Sequence, residues 1–169
     1  MTRDERFRTV YDSSARQWRS LARGFARGPD QEDLFQDMVL QIWRTLDSFK
    51  GAARPETWAY RVALNTAISF RRRTLLRDRH RADVASPDDT PDTTGSAGGR
   101  DEMAVLAEFL ETLPDVDRAL LALYLEDLSY REMADITGLS DNHVGVRLHQ
   151  IKKRFTERYV GRTQWTSIG

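Results

Sequence analysis

Residues 128–159 contain two helix signals separated by a glycine, and no other stretch of the chain restricts the fold as strongly. Ser129 and Glu132 have the spacing of a capping box, which predicts a helix that begins at Tyr130. Gly138 follows this helix, at the position where a left-handed C-terminal cap favours a residue without Cβ. The pattern therefore predicts a short helix that ends in a tight turn.

A second helix is predicted directly after the turn. Ser140 is its expected N-cap, and Asp141 places a negative charge in its first turn. Gly145 weakens this helix, and a close approach to DNA would explain its presence. Helical spacing gives an apolar face of Val144, Leu148, Ile151 and Phe155, and another face of Asn142, Val146, His149, Gln150 and Lys153. Amide, imidazole and ammonium groups suit the base edges and phosphates of a DNA major groove. We interpret the two helices as a helix-turn-helix, with residues 142–158 as its recognition helix.

The same pattern is also typical of a two-helix packing corner with a solvated polar face. The charge of the segment favours nucleic-acid binding, because residues 140–162 contain six basic side chains and two acidic ones. A basic helix end is what contact with phosphates requires.

The composition argues against several other classes of site. The chain has no cysteine, which excludes disulfides and thiolate metal sites. Its three histidines, at positions 80, 143 and 149, lack the carboxylate pattern of a zinc site. No catalytic triad, glycine-rich phosphate loop or paired-carboxylate pattern indicates an enzyme. We therefore predict no cofactor, no metal and no catalytic residue. No stretch has the length and apolarity of a signal peptide or a membrane span, so we expect a cytoplasmic protein.

The zero net charge of the chain hides an uneven distribution. Residues 1–80 carry 16 basic and 10 acidic side chains, and residues 118–169 carry 8 and 6. Residues 81–117 carry 2 basic and 10 acidic side chains. Two basic ends therefore flank an acidic middle, and nucleic acid is expected to bind at the ends.

Three helices are predicted in the N-terminal half, over residues 5–23, 31–46 and 58–73. Asp30 is the expected N-cap of the second helix. Opposite the apolar stripe of this helix, Leu40 stands among Asp33, Gln36, Asp37 and Gln41. A solvated face is the ordinary interpretation, but an apolar residue surrounded by polar ones is typical of a protein-docking surface.

The third helix and the residues after it form a second basic surface. Residues 61–81 contain seven arginines and one aspartate, and Arg71, Arg72 and Arg73 are consecutive. We expect Trp58, Val62, Ala63 and Ile68 to face the core, and Arg61 and Asn65 to lie on the other side.

The acidic middle of the chain separates two helical domains. Residues 81–101 are rich in Asp, Thr, Ser, Pro and Gly, which is typical of a disordered linker. Helices resume at Glu102, Pro114 ends the first of them, and Asp115 is the expected cap of the next. No strand pattern is present, so the predicted fold is all-α, with two small helical domains joined by a flexible acidic linker.

The chain resembles a known family in both domains. EDLFQDMVLQIW and SFKGAARPETWAYRVALNTAISFRRR resemble region 2 of the group 4, extracytoplasmic-function sigma factors of the sigma-70 family of bacterial RNA polymerase. LPDVDRALLALYLEDLSYREMADITGLSDNHVGVRLHQIKKRF resembles their region 4. The resemblance implies region 2 over residues 1–80, a linker over 81–101, region 4 over 102–162 and a tail over 163–169.

The resemblance also implies partners and roles. The chain would bind RNA polymerase core, on the clamp helices of the largest subunit and on the flap, and promoter DNA. It would be a monomer when free, without membrane insertion, and an anti-sigma factor is a family expectation. The residues implied to bind polymerase are Asp33, Gln36, Asp37, Leu40 and Gln41. Those implied at the −10 element, together with the arginine cluster, are Phe49, Lys50, Gly51, Trp58, Arg61, Asn65, Arg71, Arg72 and Arg73. Those implied at the −35 element are Asn142, His143, Gly145, Val146, Arg147, His149, Gln150 and Lys153.

One departure from the family concerns base recognition. The commonest recognition-helix pattern, T-V-x-S-R-x-x-R, is replaced at its Thr, Ser and last Arg positions by His143, Val146 and Gln150. The docking mode is therefore expected to be kept, while the bases recognised differ. Two other functions remain open from the sequence: a stand-alone helix-turn-helix regulator that binds operator DNA, and an adaptor that only sequesters another factor. The docking surface and the arginine cluster favour the sigma factor.

Overall fold

The computed structural model describes residues 1–84 and 102–159, and every regular element in these ranges is helical. The α-helices are α1 (Arg3–Phe25), α2 (Asp30–Thr45), α3 (Pro55–Val84), α4 (Glu102–Thr112), α5 (Asp115–Leu125), α6 (Tyr130–Thr137) and α7 (Asp141–Tyr159), and a 3-10 turn at Leu46–Ser48 follows α2. None of the helices in these two ranges has the length and apolarity needed to cross a lipid bilayer. Most of the expected linker, residues 85–101, lies outside the described residues, as does the expected tail.

The N-terminal unit is a bundle of α1, α2 and α3, each of which packs against the other two. A capping box between Thr2 and Glu5 starts α1. From α1, Trp18 and Leu21 are fully buried, and they share one hydrophobic cluster with Met38 of α2. Burial of these large side chains is the main stabilising contribution, at roughly 1.5–3 kcal/mol for each.

Helix α3 is longer than the sequence pattern predicts. It begins at Pro55, a position in the first turn where proline leaves no intrahelical hydrogen bond unmade, and continues to Val84. Neither glycine nor proline occurs from residue 56 to residue 84, so nothing in the sequence ends the helix earlier. Residues 81–84, which were expected in the linker, are therefore helical.

The C-terminal unit contains the predicted helix-turn-helix. The capping box of Ser129 and Glu132 is present, and Gly138 ends α6 with a left-handed φ of 80°. The backbone N–H of His143 donates to the Ser140 hydroxyl at 3.2 Å, so the second N-cap is also confirmed. The predicted apolar face of α7 lies inward: Val144, Leu148 and Ile151 are buried and Phe155 packs against the core.

The two units pack against each other, α1 against α5 and α3 against α6. At the first contact a Cβ on Gly24 would lie 3.3 Å from the Ala122 Cβ, so glycine allows the two helices to approach closely. Arg118 of α5 is 1% exposed and donates a hydrogen bond of 3.2 Å to the Gly24 carbonyl. Burial lowers the pKa of its guanidinium, because charge is costly away from water. The buried residues of both units form one hydrophobic cluster.

Two predicted helix caps are wrong. Pro29 and Pro114 occupy the N-cap positions of α2 and α5, and neither helix has a side-chain cap. Asp30 and Asp115 are instead the first helical residues, where their negative charges still suit the positive end of the helix. Both carboxylates pair with arginines of α3.

Candidate functional site

The predicted docking surface on α2 is exposed. Leu40 is 43% exposed, and Asp33, Gln36 and Gln41 are exposed around it. Asp37 is half-buried, and its Oδ2 lies 3.5 Å from Nη2 of Arg73 on α3. An apolar side chain therefore lies at the centre of a polar, acidic face, as the sequence predicts.

This face borders an open cleft between α2 and α3. The cleft is lined by Asp37, Leu40 and Gln41 from α2 and by Trp58 and Asn65 from α3, among others. The structure thus brings three residues of the expected polymerase surface next to three residues of the expected −10 site, Trp58, Asn65 and Arg73. Trp58 and Val62 were expected to face the core; they pack against it but are only partly buried, and they also line this cleft.

The loop before α3 lies next to the cleft. The Phe49 ring packs at 5.3 Å from the Trp58 ring, measured between centroids. Lys50 is exposed, and Gly51 has a φ of 75° that favours glycine. The loop therefore holds an aromatic ring against α3 and leaves a lysine free to contact solvent or a ligand.

The arginines of α3 do not all extend into solvent. The Arg71 guanidinium pairs with the Asp115 carboxylate of α5 at 2.7 Å, and Arg72 reaches the same carboxylate at 3.5 Å. Arg61 donates from Nε to the Asp135 carbonyl of α6 at 2.6 Å. Three residues of the expected −10 site are therefore bound to the C-terminal unit. No local pattern indicated this role for Asp115, which was predicted to be a helix cap.

The polar face of α7 is open to solvent. Asn142, Val146, His149, Gln150 and Lys153 are all exposed, as predicted. Nζ of Lys153 lies 4.0 Å from Oε1 of Glu157, which is one turn further along α7. Within the described part of the chain, no hydrogen bond to another side chain or backbone group occupies the amides of Asn142 and Gln150. This face is therefore free to bind a partner outside the protein.

Two expected −35 residues, Arg147 and Gly145, contact other side chains of the C-terminal unit. Nη1 of Arg147 lies 2.5 Å from Oδ1 of the buried Asp117. This ion pair holds the Arg147 side chain at the edge of the polar face. At Gly145, a Cβ would lie 3.3 Å from the Tyr130 ring. Tyr130 therefore packs over Gly145, and a side chain at this position would fit only if the ring shifted by a few tenths of an ångström. His143 is exposed in the first turn of α7.

The helix-turn-helix owes part of its geometry to the capping box. The Ser129 backbone N–H and hydroxyl donate to the Glu132 carboxylate at 2.8 and 2.9 Å. These hydrogen bonds lower the pKa of Glu132, because they stabilise its charged form. The cap fixes the start of α6, against which α7 packs.

Comparison with known proteins identifies both units. Residues 10–77 match the model of Sigma-70 region 2, and residues 103–155 match the model of Sigma-70 region 4. The ECF RNA polymerase sigma-E factor of Escherichia coli strain K12 is 30% identical over 132 residues, which cover 69% of this chain and 67% of that protein. The chain belongs to the extracytoplasmic-function sigma factors. It is an alternative sigma factor of RNA polymerase. These matches do not favour the other interpretation, a stand-alone helix-turn-helix regulator. Sigma factors are regulatory DNA-binding proteins rather than enzymes.

Solved structures show the same fold. The sigma factor RpoE of Bartonella quintana, in complex with the anti-sigma factor NepR, superposes with a TM-score of 0.65 at 22% identity, covering 89% of this chain and 94% of that one. CnrH, in complex with the cytosolic domain of CnrY, superposes with a TM-score of 0.66 at 22% identity, and the match covers 93% of this chain and 89% of that one. The all-α fold of the two regions is therefore shared with solved sigma factors.

Proposed function

We propose that this sigma factor binds RNA polymerase core through the α2 face, binds the −10 element through the cleft, the loop before α3 and α3 itself, and binds the −35 element through α7. The observation that carries the proposal is the exposed polar face of α7, whose amides are unoccupied within the described residues. A DNA-reading helix needs such a face, and the match of residues 103–155 to Sigma-70 region 4 favours this reading over a packing corner with a solvated polar face.

The −35 assignment follows from the chemistry of α7. Asn142 and Gln150 each carry an amide that can bond bidentately to the N6 and N7 edge of adenine. Lys153 offers a point charge without a fixed hydrogen-bond geometry, so it is suited to a phosphate. Arg147 is bound by Asp117, and we assign it to positioning α7 against α5 rather than to direct base contact.

The −10 assignment follows from the cleft and its loop. Trp58 and Phe49 provide aromatic surface on which an unstacked base can pack, and Asn65 provides hydrogen-bonding groups beside it. The arginines at positions 61, 71, 72 and 73 would bind the phosphates of the strand. Because the cleft also borders the α2 face, polymerase and the melted strand would bind side by side.

The structure describes a closed arrangement, in which region 4 occupies Arg61, Arg71 and Arg72. We therefore propose that region 2 and region 4 separate when polymerase binds, which would release these arginines for the −10 strand. It follows that the free chain should shift promoter duplex poorly in a native gel, and that the holoenzyme should shift it well.

Further partners are proposed by analogy. The similar RpoE structure is a complex with an anti-sigma factor, so an anti-sigma factor is a proposed partner here as well. The flap of core polymerase is the proposed partner of region 4. We propose that the free chain is a cytoplasmic monomer.

The polymerase face can be tested by charge reversal. Asp33→Arg combined with Asp37→Arg should prevent co-purification with core polymerase, because repulsion replaces attraction across the interface. Asp12→Arg together with Asp4→Arg is the matched control, since both residues are exposed on α1 and the change in net charge is the same. Far-UV circular dichroism checks folding. Retention of core binding by the α2 variant, or equal loss in the control, would contradict the assignment.

A further inference from the structure

The outward face of α7 has an apolar side chain at its centre. Successive residues of a helix are about 100° apart, so Val146 lies about 200° around the axis from the buried Val144. It therefore points almost directly away from the core. Val146 is 47% exposed and belongs neither to the hydrophobic core of the described residues nor to the side chains packed against it.

The neighbours of Val146 define what it can contact. Asn142 lies one turn before it, and His149 and Gln150 lie about one turn after it, all exposed. If α7 lies in a major groove, as proposed above, these side chains surround the base pair that Val146 faces. A β-branched residue also has a lower helix propensity than alanine or leucine. Neither packing nor propensity within the described residues explains a valine here.

We propose that Val146 recognises a thymine in the −35 element through its C5-methyl group. Among the base edges in the major groove, thymine is the one that offers an apolar group. A valine opposite any base edge leaves the donors or acceptors of that edge without a protein partner, which is unfavourable when water is excluded, and only thymine offers a methyl group whose burial offsets this cost. The preferred −35 element therefore contains a T·A pair, on either strand, at the position facing the middle of α7.

This inference rests on the proposed −35 role of α7 and adds the base that one residue selects. Serine at this position, as in the commonest family pattern, could hydrogen bond to any base edge. Valine gains only from a methyl group, so it narrows the choice of base. Asn142 and Gln150 would then discriminate the neighbouring pairs through their amides.

The test uses a holoenzyme of the full chain and core polymerase. A −35 element is first selected by transcription from a randomised library. Each thymine of that element, on both strands, is then replaced singly by deoxyuridine, which lacks only the methyl group. One replacement should weaken holoenzyme binding by about threefold to fourfold, as expected for the loss of one buried methyl contact. Val146→Ala should remove the sensitivity at that position and keep it at others.

Val84→Ala provides the matched control, because Val84 is exposed at the far end of α3. It should leave the response to deoxyuridine unchanged. The inference is overturned if no replacement weakens wild-type binding, or if Val146→Ala responds to deoxyuridine as the wild type does. If no −35 preference emerges from the library at all, the proposed −35 role of α7 fails as well, so the two failures are distinguishable.

Discussion

The contact between Arg71 and Asp115 offers a quantitative test of the closed arrangement. The two side chains are 15% and 18% exposed, and their charged atoms are 2.7 Å apart. Asp115→Asn keeps the size of the side chain but removes the charge that Arg71 faces. Breaking a fully buried ion pair costs about 3–5 kcal/mol. Because both groups retain some contact with water, we expect about 2 kcal/mol here.

This loss should favour separation of region 2 from region 4. If only the closed state binds Arg71, a change of about 2 kcal/mol raises the open population about thirtyfold while that population is small. A fluorescent single strand with the preferred −10 sequence should then bind the free chain about tenfold to thirtyfold more tightly. Fluorescence anisotropy measures this affinity directly.

The control must remove a charge without breaking the contact. Asp135→Asn is suitable, because Asp135 is exposed and Arg61 binds its backbone carbonyl rather than its side chain. A double-mutant cycle with Arg71→Gln separates the ion pair from the effect of Asp115 on the N-terminus of α5. A coupling energy below about 0.5 kcal/mol, or equal strand affinity in both Asn variants, would refute the closed-state mechanism.

Two further predictions concern the helix-turn-helix. Gly145→Ala should raise the free energy of unfolding in urea by about 0.5–1 kcal/mol, because alanine favours the helix more than glycine does. The half-exposed Tyr130 ring can shift by the few tenths of an ångström that the new methyl group needs. A loss of stability would show that the ring cannot move. The lowered pKa of Glu132 means that its contribution to stability is present above its unfolded pKa and is lost as the pH falls through its folded pKa. Glu132→Gln should therefore flatten the decrease in melting temperature as the pH falls below the ordinary glutamate pKa of 4.5, and an unchanged pH profile would argue against this role of the cap.

The helix-turn-helix could be predicted from sequence because its signals are local. The Ser129 cap, the Gly138 turn and the buried stripe of α7 each depend on residues within one or two turns of each other. Their physical causes are therefore visible in a short window of sequence. The exposed position of Leu40 on α2 could be predicted for the same reason.

The contacts between the two regions could not be predicted in this way. Arg71 and Asp115 are 44 residues apart, and Arg147 and Asp117 are 30 residues apart. Asp115 sits where a capping residue is expected, so its local position suggested a different role. The core face of α3 was predicted only in part, because Tyr60 and Leu64 form an apolar row that lies beside the predicted row of Trp58 and Val62. Packing against the neighbouring helices buries the first row and leaves the second at the cleft.

Transcription with purified core polymerase tests most directly whether region 2 reads the −10 element and region 4 reads the −35 element. The template library is randomised separately at the −10 and −35 elements, and the wild type is compared with Gln150→Ala. We predict that transcription depends on core polymerase and that the wild type shows a sequence preference at both elements. Gln150→Ala should lose roughly 1–3 kcal/mol of discrimination at one −35 position, and its −10 preference should stay unchanged. Absence of core-dependent initiation, a change in the −10 profile, or an unchanged −35 profile would contradict the assignment of the two DNA-binding surfaces.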